Sequence, residues 1–315
     1  MPQPKILAIA GGVGGAKLAL GLARSLLPQD LTVVVNTGDD EIFHGLHVSP
    51  DLDSVTYALA GLTNPDTGWG VAGDSFRTLE ALRRLGAETW FGLGDLDLAT
   101  HIRRTALLAD GMSLSQVTAE ITRHLGIECA VVPMTDASVR TVAMTDVGDL
   151  AFQEYFVHRG CEPRILGVRF DGADTAYPSP AFADALHWAD AIVYCPSNPM
   201  VSIGPILAVT GVRSAIENFA GPRIAVSPIV AGQAIKGPAG KMMEELGEEV
   251  SCVGVARRYK GLCDALVIDR IDREHSAGIE DCGMQSVVTA TIMNTEYEKV
   301  RLAEEIVNII DRWNS

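Results

Sequence analysis

The chain has 315 residues, 47% of them hydrophobic, and carries 40 acidic against 25 basic side chains for a net charge of −15. That composition suits a globular protein with a substantial core, and the acidic balance excludes a broad nucleic-acid surface or an anionic membrane as partner, since either would need clustered Lys and Arg. The six cysteines, at 129, 161, 195, 252, 263 and 282, include no Cys-x-x-Cys pair, so neither a disulfide framework nor a zinc site is indicated and a reducing cytoplasm is expected. No stretch approaches eighteen uninterrupted apolar residues, and the apolar run after Lys5 breaks into glycines and Lys17, unlike a secretion signal.

Ile6 to Ala10 forms an unbroken apolar run that stops at Gly11, Gly12, Gly14 and Gly15. Such a run predicts a buried parallel strand meeting a tight loop. Leu18, Leu22, Leu26 and Leu27 follow near helical spacing until Pro28, and Leu31 to Val35 is a second buried strand. This β-α-β unit delivers both its loops to the carboxyl edge of a parallel sheet, where open α/β folds bind ligands. Glycine-exposed N–H groups at a helix start favour an anion such as phosphate. Ala16-Lys17-Leu18 fails the P-loop pattern, and Lys17 stands where a dinucleotide fingerprint needs its third glycine.

Asp39, Asp40, Glu41, Asp51 and Asp53 place five carboxylates within fifteen residues. Crowded carboxylates beside a phosphate site call for a cation, and Mg²⁺ accepts one or two carboxylates together with phosphate oxygens. Asp39 and Asp53 are the expected ligands, with Ser49 or Asp51 capping a helix that starts near Leu52.

Helical periodicity then takes over, in Asp74 to Leu85 ending at Gly86, in Ala99 to Leu108, and in Leu114 to Leu125 between Ser113 and Gly126. The block at about 72–126 reads as a helical insertion covering the sheet edge. It contains Asp95, Asp97 and His101, which suit either general-base chemistry or, for Asp97, a helix cap. Strands are predicted at Ile127 to Val132, Val139 to Met144, Leu150 to Val157 and Ile165 to Phe170. A helix opens after the Pro-rich stretch 177–180, a buried strand runs from Ala191 to Cys195, and Pro222 to Ser227 repeats the strand-then-loop plan. The remainder alternates helix and strand through 241–246, 250–255 and 266–268, with a final helix from about Glu296 to Trp313. The two halves are expected to share one sheet in a single domain.

Two loops of the second half have ligand-binding chemistry. Pro196-Ser-Asn-Pro-Met-Val-Ser-Ile-Gly-Pro205 follows a core strand, and its prolines hold Ser197, Asn198, Ser202 and the backbone around Pro199, Ile203 and Gly204 in place. The loop from Ser227 and Pro228 to Lys236, Gly237 and Lys241 adds two ammonium groups for a diphosphate. No Gly-x-Ser-x-Gly elbow or His-Glu-x-x-His helix occurs, and His124, His158, His187 and His275 stand isolated.

Gly11-Gly-Val-Gly-Gly-Ala-Lys17, Val35-Asn-Thr-Gly-Asp-Asp40, Pro50-Asp-Leu-Asp53, Leu93-Gly-Asp-Leu-Asp-Leu-Ala-Thr-His101, the 196–205 loop, Ser227-Pro-Ile229 and Lys236-Gly-Pro238 occur together and in order. In this the chain resembles the 2-phospho-L-lactate transferase family of coenzyme F-420 biosynthesis across nearly its whole length. The resemblance implies a Rossmann-like α/β fold, mostly a parallel sheet flanked by helices, with Mg²⁺ dependence. It implies as substrates a guanylylated small acid (phospholactyl, phosphoenolpyruvyl or phosphoglyceryl) and the deazaflavin Fo, whose ribityl hydroxyl receives the phosphorylated acid as GMP leaves. Asp39 and Asp53 would hold the metal, with Asp53 or a neighbouring carboxylate as proton acceptor. The 196–205 and 227–241 loops would hold the nucleotide, the Gly11 to Lys17 loop with Gly12, Gly14, Gly15 and Lys17 would close over the acceptor with residues of the helical block, and Asn36 is a further expected binding residue. Leu96 stands where the family pattern leads one to expect arginine. A soluble cytoplasmic homodimer is the expected form. Two rival readings are a nucleotide-sugar-binding regulator of the related superfamily and an NAD(P)-dependent oxidoreductase gripping ribose through Asp39 or Asp40.

Overall fold

The computed structural model describes residues 3–313. The chain opens as β1 (Ile6–Ala10), α1 (Gly12–Ser25) and β2 (Leu31–Val35), the β-α-β unit expected from the apolar runs. A hairpin, β3 (Glu41–Phe43) and β4 (Leu46–Val48), leads to α2 (Pro50–Leu59). Then come α3 (Arg77–Arg84), α4 (Asp97–Ala109) and α5 (Leu114–His124), all within 72–126. Ser113 caps α5 in a full capping box with Gln116.

A third core strand, β5 (Ala130–Pro133), is followed by a separate three-stranded antiparallel sheet of β6 (Arg140–Thr145), β7 (Gly148–Ala151) and β8 (Ile165–Asp171), ordered β7-β6-β8. The strand expected over 150–157 ends at Ala151. Its second part, Glu154–His158, coils into a π-helical turn that buries Tyr155 and leaves Phe156 and Val157 partly exposed. An alternating apolar run is ambiguous between strand and helix when it is this short.

The second half continues with α6 (Pro180–Trp188), β9 (Ala191–Tyr194), α7 (Gly204–Ala208), α8 (Val212–Glu217) and β10 (Arg223–Val226). A two-residue hairpin, β11 (Ile229–Val230) with β12 (Gln233–Ala234), precedes α9 (Ala239–Glu245) and α10 (Cys252–Arg258). The 250–255 segment, expected as a strand, is helical because the Ser251 hydroxyl accepts from the N–H groups of Val253 and Gly254. The chain closes with β13 (Ala265–Asp269), α11 (Ser276–Glu280), β14 (Gln285–Thr289) and α12 (Glu296–Trp313). β14 is not among the strands expected from the sequence.

Seven strands form one all-parallel sheet in the order β14-β13-β10-β9-β1-β2-β5. Both halves of the chain therefore share it. Alternate residues feed two cores: Ile6, Ala8 and Ala10 pack with Val33 and Val193 under α1 and α12, whereas Leu7 and Ile9 pack with Val34, Ile192 and Tyr194 on the opposite face. Gly21 lets α1 and α12 touch, since a Cβ there would lie 2.2 Å from the Lys299 carbonyl oxygen. Strand order reverses between β1, which leads toward β2, and β9, which leads toward β10. Their loops diverge at the carboxyl edge and leave a crevice, the usual ligand position of a doubly wound sheet.

Candidate functional site

That crevice is a cleft of about 560 Å³, within the range that takes a small-molecule ligand. Its floor is the contact between the β1 and β9 loops. A Cβ on Gly14 would lie 2.2 Å from the Pro196 carbonyl oxygen, and one on Gly15 would lie 2.7 Å from Ser197 Oγ. Ser197 Oγ also accepts from the Gly11 N–H at 3.0 Å. These glycines thus serve close approach of two backbones, and Gly12 alone of the four takes a left-handed φ, +61°.

Two carboxylates stand beside this loop. Asp51, on the first turn of α2, accepts from Asn36 Nδ2 at 3.0 Å and meets the Gly12 N–H and Ser202 hydroxyl. Burial pushes its carboxyl up to about 6 against those three hydrogen bonds. Asp39 is also buried, and its pKa is raised by burial and then by the charge of Asp51. Among the described residues, Asp39 Oδ1 has no hydrogen-bond partner. A buried, orphaned carboxylate oxygen on a cleft wall is what a bound cation would satisfy.

A second polar group runs through α2 and α4. Arg104, buried, forks Asp53: Nη2 donates to Oδ1 and Nη1 to Oδ2 at 3.2 Å. His101 Nδ1 lies 3.6 Å from Asp53 Oδ2, its Nε2 lies 3.2 Å from Asp97 Oδ2, and Tyr57 Oη donates to Asp97 Oδ1 at 2.6 Å. Asp53, Asp97 and His101 offer ligand atoms within 4.8 Å of one another. The expected cap role of Asp97 is filled instead by Asp74, whose carboxylate accepts from the N–H groups of Leu96 and Asp97. Asp97 is thereby released toward the cleft.

Lys17 and Lys236 supply positive charge. The pKa of Lys17 is lowered by burial and then by Lys236, so the two ammonium groups share a region that an anion would stabilise. Aromatic rings complete the wall: Trp69, Phe91, Phe152 and Phe156 all face the cleft, with Phe152 and Phe156 stacked at 5.6 Å and Phe91 stacked on Phe43 at 4.2 Å.

Of the residues expected at the site, Gly12, Gly14, Lys17, Asp39, Asp53, Asp97, His101, Ser197, Asn198, Ser202, Pro228, Lys236 and Gly237 line this one cleft. The others do not. Asp95 faces α3, accepting from Ser75 Oγ and from the N–H groups of Arg77 and Thr78, which hold its carboxyl down at about 2. Lys241 pairs with Glu245 one turn along α9. Ser227 turns its hydroxyl onto the backbone of Ile229. Asn36 lies behind the wall, bonded to Asp51, Val201 O and Gly38 N. Gly15, Pro199, Ile203 and Gly204 shape the two loops from behind, with Gly204 against Phe170. Tyr57, Arg104 and the aromatic wall are not among the expected site residues, and Asp51 is expected only as one of five crowded carboxylates or as a helix cap. Asp51 looked like a helix cap, Arg104 is chemically silent until it is seen buried, and aromatic residues carry no spacing signal.

Among the described residues no helix is long and apolar enough to cross a membrane. A family model described as "2-phospho-L-lactate transferase CofD" matches residues 6–305. A protein of Methanopyrus kandleri named 2-phospho-L-lactate transferase is 41% identical over 312 residues, covering 98% of each chain. A Streptomyces griseus protein named phosphoenolpyruvate transferase is 37% identical, again covering 98% of each. Among solved structures, a UPF0052 family member from Bacillus halodurans superposes with a TM-score of 0.64 at 16% identity, covering 98% of this chain and 99% of that one, a likeness that speaks for the fold alone. With a family match of that extent and full-length relatives of that similarity, the chain belongs to the 2-phospho-L-lactate transferase CofD family.

Proposed function

We propose that the protein transfers a phosphorylated three-carbon acid from a guanosine-diphosphate-linked donor to the terminal ribityl hydroxyl of the deazaflavin Fo, releasing GMP. The observation that carries this reading is the single cleft that joins a lysine pair and a glycine loop, buried carboxylates and an aromatic wall. A diphosphate needs the first, an in-line displacement at phosphorus needs the second, and a flat tricyclic ring needs the third.

Lys17 and Lys236 hold the diphosphate, with Ser197, Asn198 and Gly237 along the nucleotide. Asp39, whose Oδ1 has no hydrogen-bond partner among the described residues, and Asp53 would hold Mg²⁺, which would neutralise charge on the diphosphate. The Arg104 fork engages both Asp53 oxygens while leaving each a further lone pair, which suits Asp53 to electrostatic work better than to accepting a proton. The Asp97–His101 pair, oriented by the Tyr57 hydroxyl, is the better placed acceptor for the proton of the attacking hydroxyl. The ribityl oxygen bonds to the acid-bearing phosphorus as the bond from that phosphorus to the GMP oxygen breaks. Phe91, Phe152, Phe156 and Trp69 stack the deazaflavin.

The test is to incubate the protein with Fo, Mg²⁺ and an equimolar mixture of guanylylated phospholactate, phosphoenolpyruvate and phosphoglycerate, then to weigh the deazaflavin product. A mass increase corresponding to one phosphorylated acid, with matching GMP release, is expected. Unchanged Fo and no GMP would leave a binding protein and sink the transferase reading.

A further inference from the structure

Lys236 spans the mouth of the cleft. Its ammonium donates to the Thr67 carbonyl at 2.6 Å, joining the segment after β12 to the loop between α2 and α3. Thr67 in turn fixes Trp69, because its Oγ1 donates to the Trp69 carbonyl at 2.6 Å and accepts from the Trp69 N–H at 3.3 Å. Gly68 lies between them at φ +78°, where a Cβ would come within 3.0 Å of both Lys236 Nζ and Val13 Cγ1. The ring of Trp69 reaches Gly92, beside Phe91: a Cβ on Gly92 would lie 3.7 Å from Trp69 Cη2. The loop is otherwise tied mainly to itself, through bonds such as Gly68 N–H to Asn64 O at 2.8 Å and Asn64 N–H to Gly70 O at 3.0 Å.

We propose that Lys236 is a positioning residue that couples the two substrate subsites, so that diphosphate binding completes the aromatic wall on which the acceptor stacks. The inference rests on the assignment of the cleft given under Proposed function. An ammonium has three N–H donors, of which Thr67 takes one and two stay available to phosphate oxygens. Without an anion, Lys236 is held among the described residues by a single neutral carbonyl and repelled by Lys17, which faces the same cleft. Phosphate oxygens between the two lysines cancel that repulsion and fix Nζ. The Thr67 carbonyl is then fixed with it, and Trp69 follows through its two hydrogen bonds to Thr67. By linkage, the acceptor must tighten the diphosphate by the same factor.

The experiment measures deazaflavin affinity by its own fluorescence, with and without GDP and Mg²⁺, in the wild-type protein, Lys236→Ala and Gly68→Ala. The second variant keeps the lysine but forces a side chain into the Thr67–Lys236 contact. GDP should tighten acceptor binding in the wild type by roughly tenfold, a size common for coupled sites, and both variants should bring that ratio close to one. Hydrogen exchange of the 64–72 amides should slow with GDP in the wild type and not in Lys236→Ala. A wild-type ratio of one with GDP demonstrably bound, or full coupling in both variants, overturns the coupling and leaves the transferase reading intact. Failure of GDP to bind the wild-type protein by calorimetry overturns both.

Discussion

Asp53 and Asp39 are both acidic, buried and on the cleft wall, yet their surroundings predict opposite responses to the same change. Asp53→Asn strips Arg104 of its carboxylate and leaves a buried guanidinium unpaired, so it should lower activity at least about a hundredfold and also destabilise the fold by about 3–5 kcal/mol. Asp39→Asn should lower activity similarly while leaving the metal-free protein as stable as before or more so, because it removes a buried charge facing Asp51. Thermal melting beside turnover separates the two, and equal melting points for both variants would contradict this assignment. From the sequence alone Asp53 is expected only as a metal ligand or proton acceptor. Its partner lies 51 positions away on another helix, and residue spacing gives the face a side chain occupies without naming what waits there.

Asp51 carries a pH signature of its own. Its carboxyl binds a proton more tightly when folded, at about 6, than at its ordinary 3.8. The penalty of ionising it is absent below about pH 4 and fully felt above about pH 6, so wild-type stability from this group falls as pH rises through that window. Asp51→Asn lacks the group, and its stability relative to wild type should therefore increase across the window by about 2–3 kcal/mol in metal-free protein. Denaturant titrations at pH 4, 5 and 6.5 would show it, and a constant difference would refute the elevated value.

At the level of elements, Asp74 and Asp95 cap each other's helices: Asp74 holds the start of α4 and Asp95 the start of α3. Each Asp→Ala change should cost about 0.5–2 kcal/mol in stability. Only Asp74→Ala should also depress turnover, because α4 carries Asp97 and His101, whereas Asp95→Ala should keep nearly full activity. Reversed effects on turnover would return Asp95 to the site. This exchange explains why Gly-Asp-Leu-Asp was only half legible: the motif marks the right loop, but one carboxylate faces the cleft and the other faces a neighbouring helix. The strand, glycine loop and helix at the N-terminus were legible in full outline, since an unbroken apolar run before four glycines has few other folds. The 150–157 and 250–255 segments were not, because in runs that short a serine cap or a tertiary pocket for one tyrosine outweighs intrinsic preference.

On the scale of the whole molecule, the shared sheet and its ligand-bearing edge follow from buried strands alternating with helices. The neighbour of β1 does not, for nothing local distinguishes β9 from β10 or β13 as its partner. The global charge has a measurable effect too. A net charge of −15 would repel the proposed polyanionic donor at long range, although Lys17 and Lys236 would attract it at contact. Raising monovalent salt from about 10 to 150 mM shortens the screening length to about 8 Å and should lower the donor KM a few-fold. A KM that rises over this range would mean that the local lysine field governs encounter.

The pairing of β1 with β9 has one more consequence. A break in the Thr145–Gly148 turn, whose Val147 is exposed, would yield one piece with the glycine loop, Asp39, Asp53 and Asp97, and another with Ser197 and Lys236. Neither piece would own a working crevice, and catalysis would return only when β1 pairs again with β9 and β6 with β7 and β8. The protein is thus a natural candidate for a split reporter whose signal is the assembly of its own sheet.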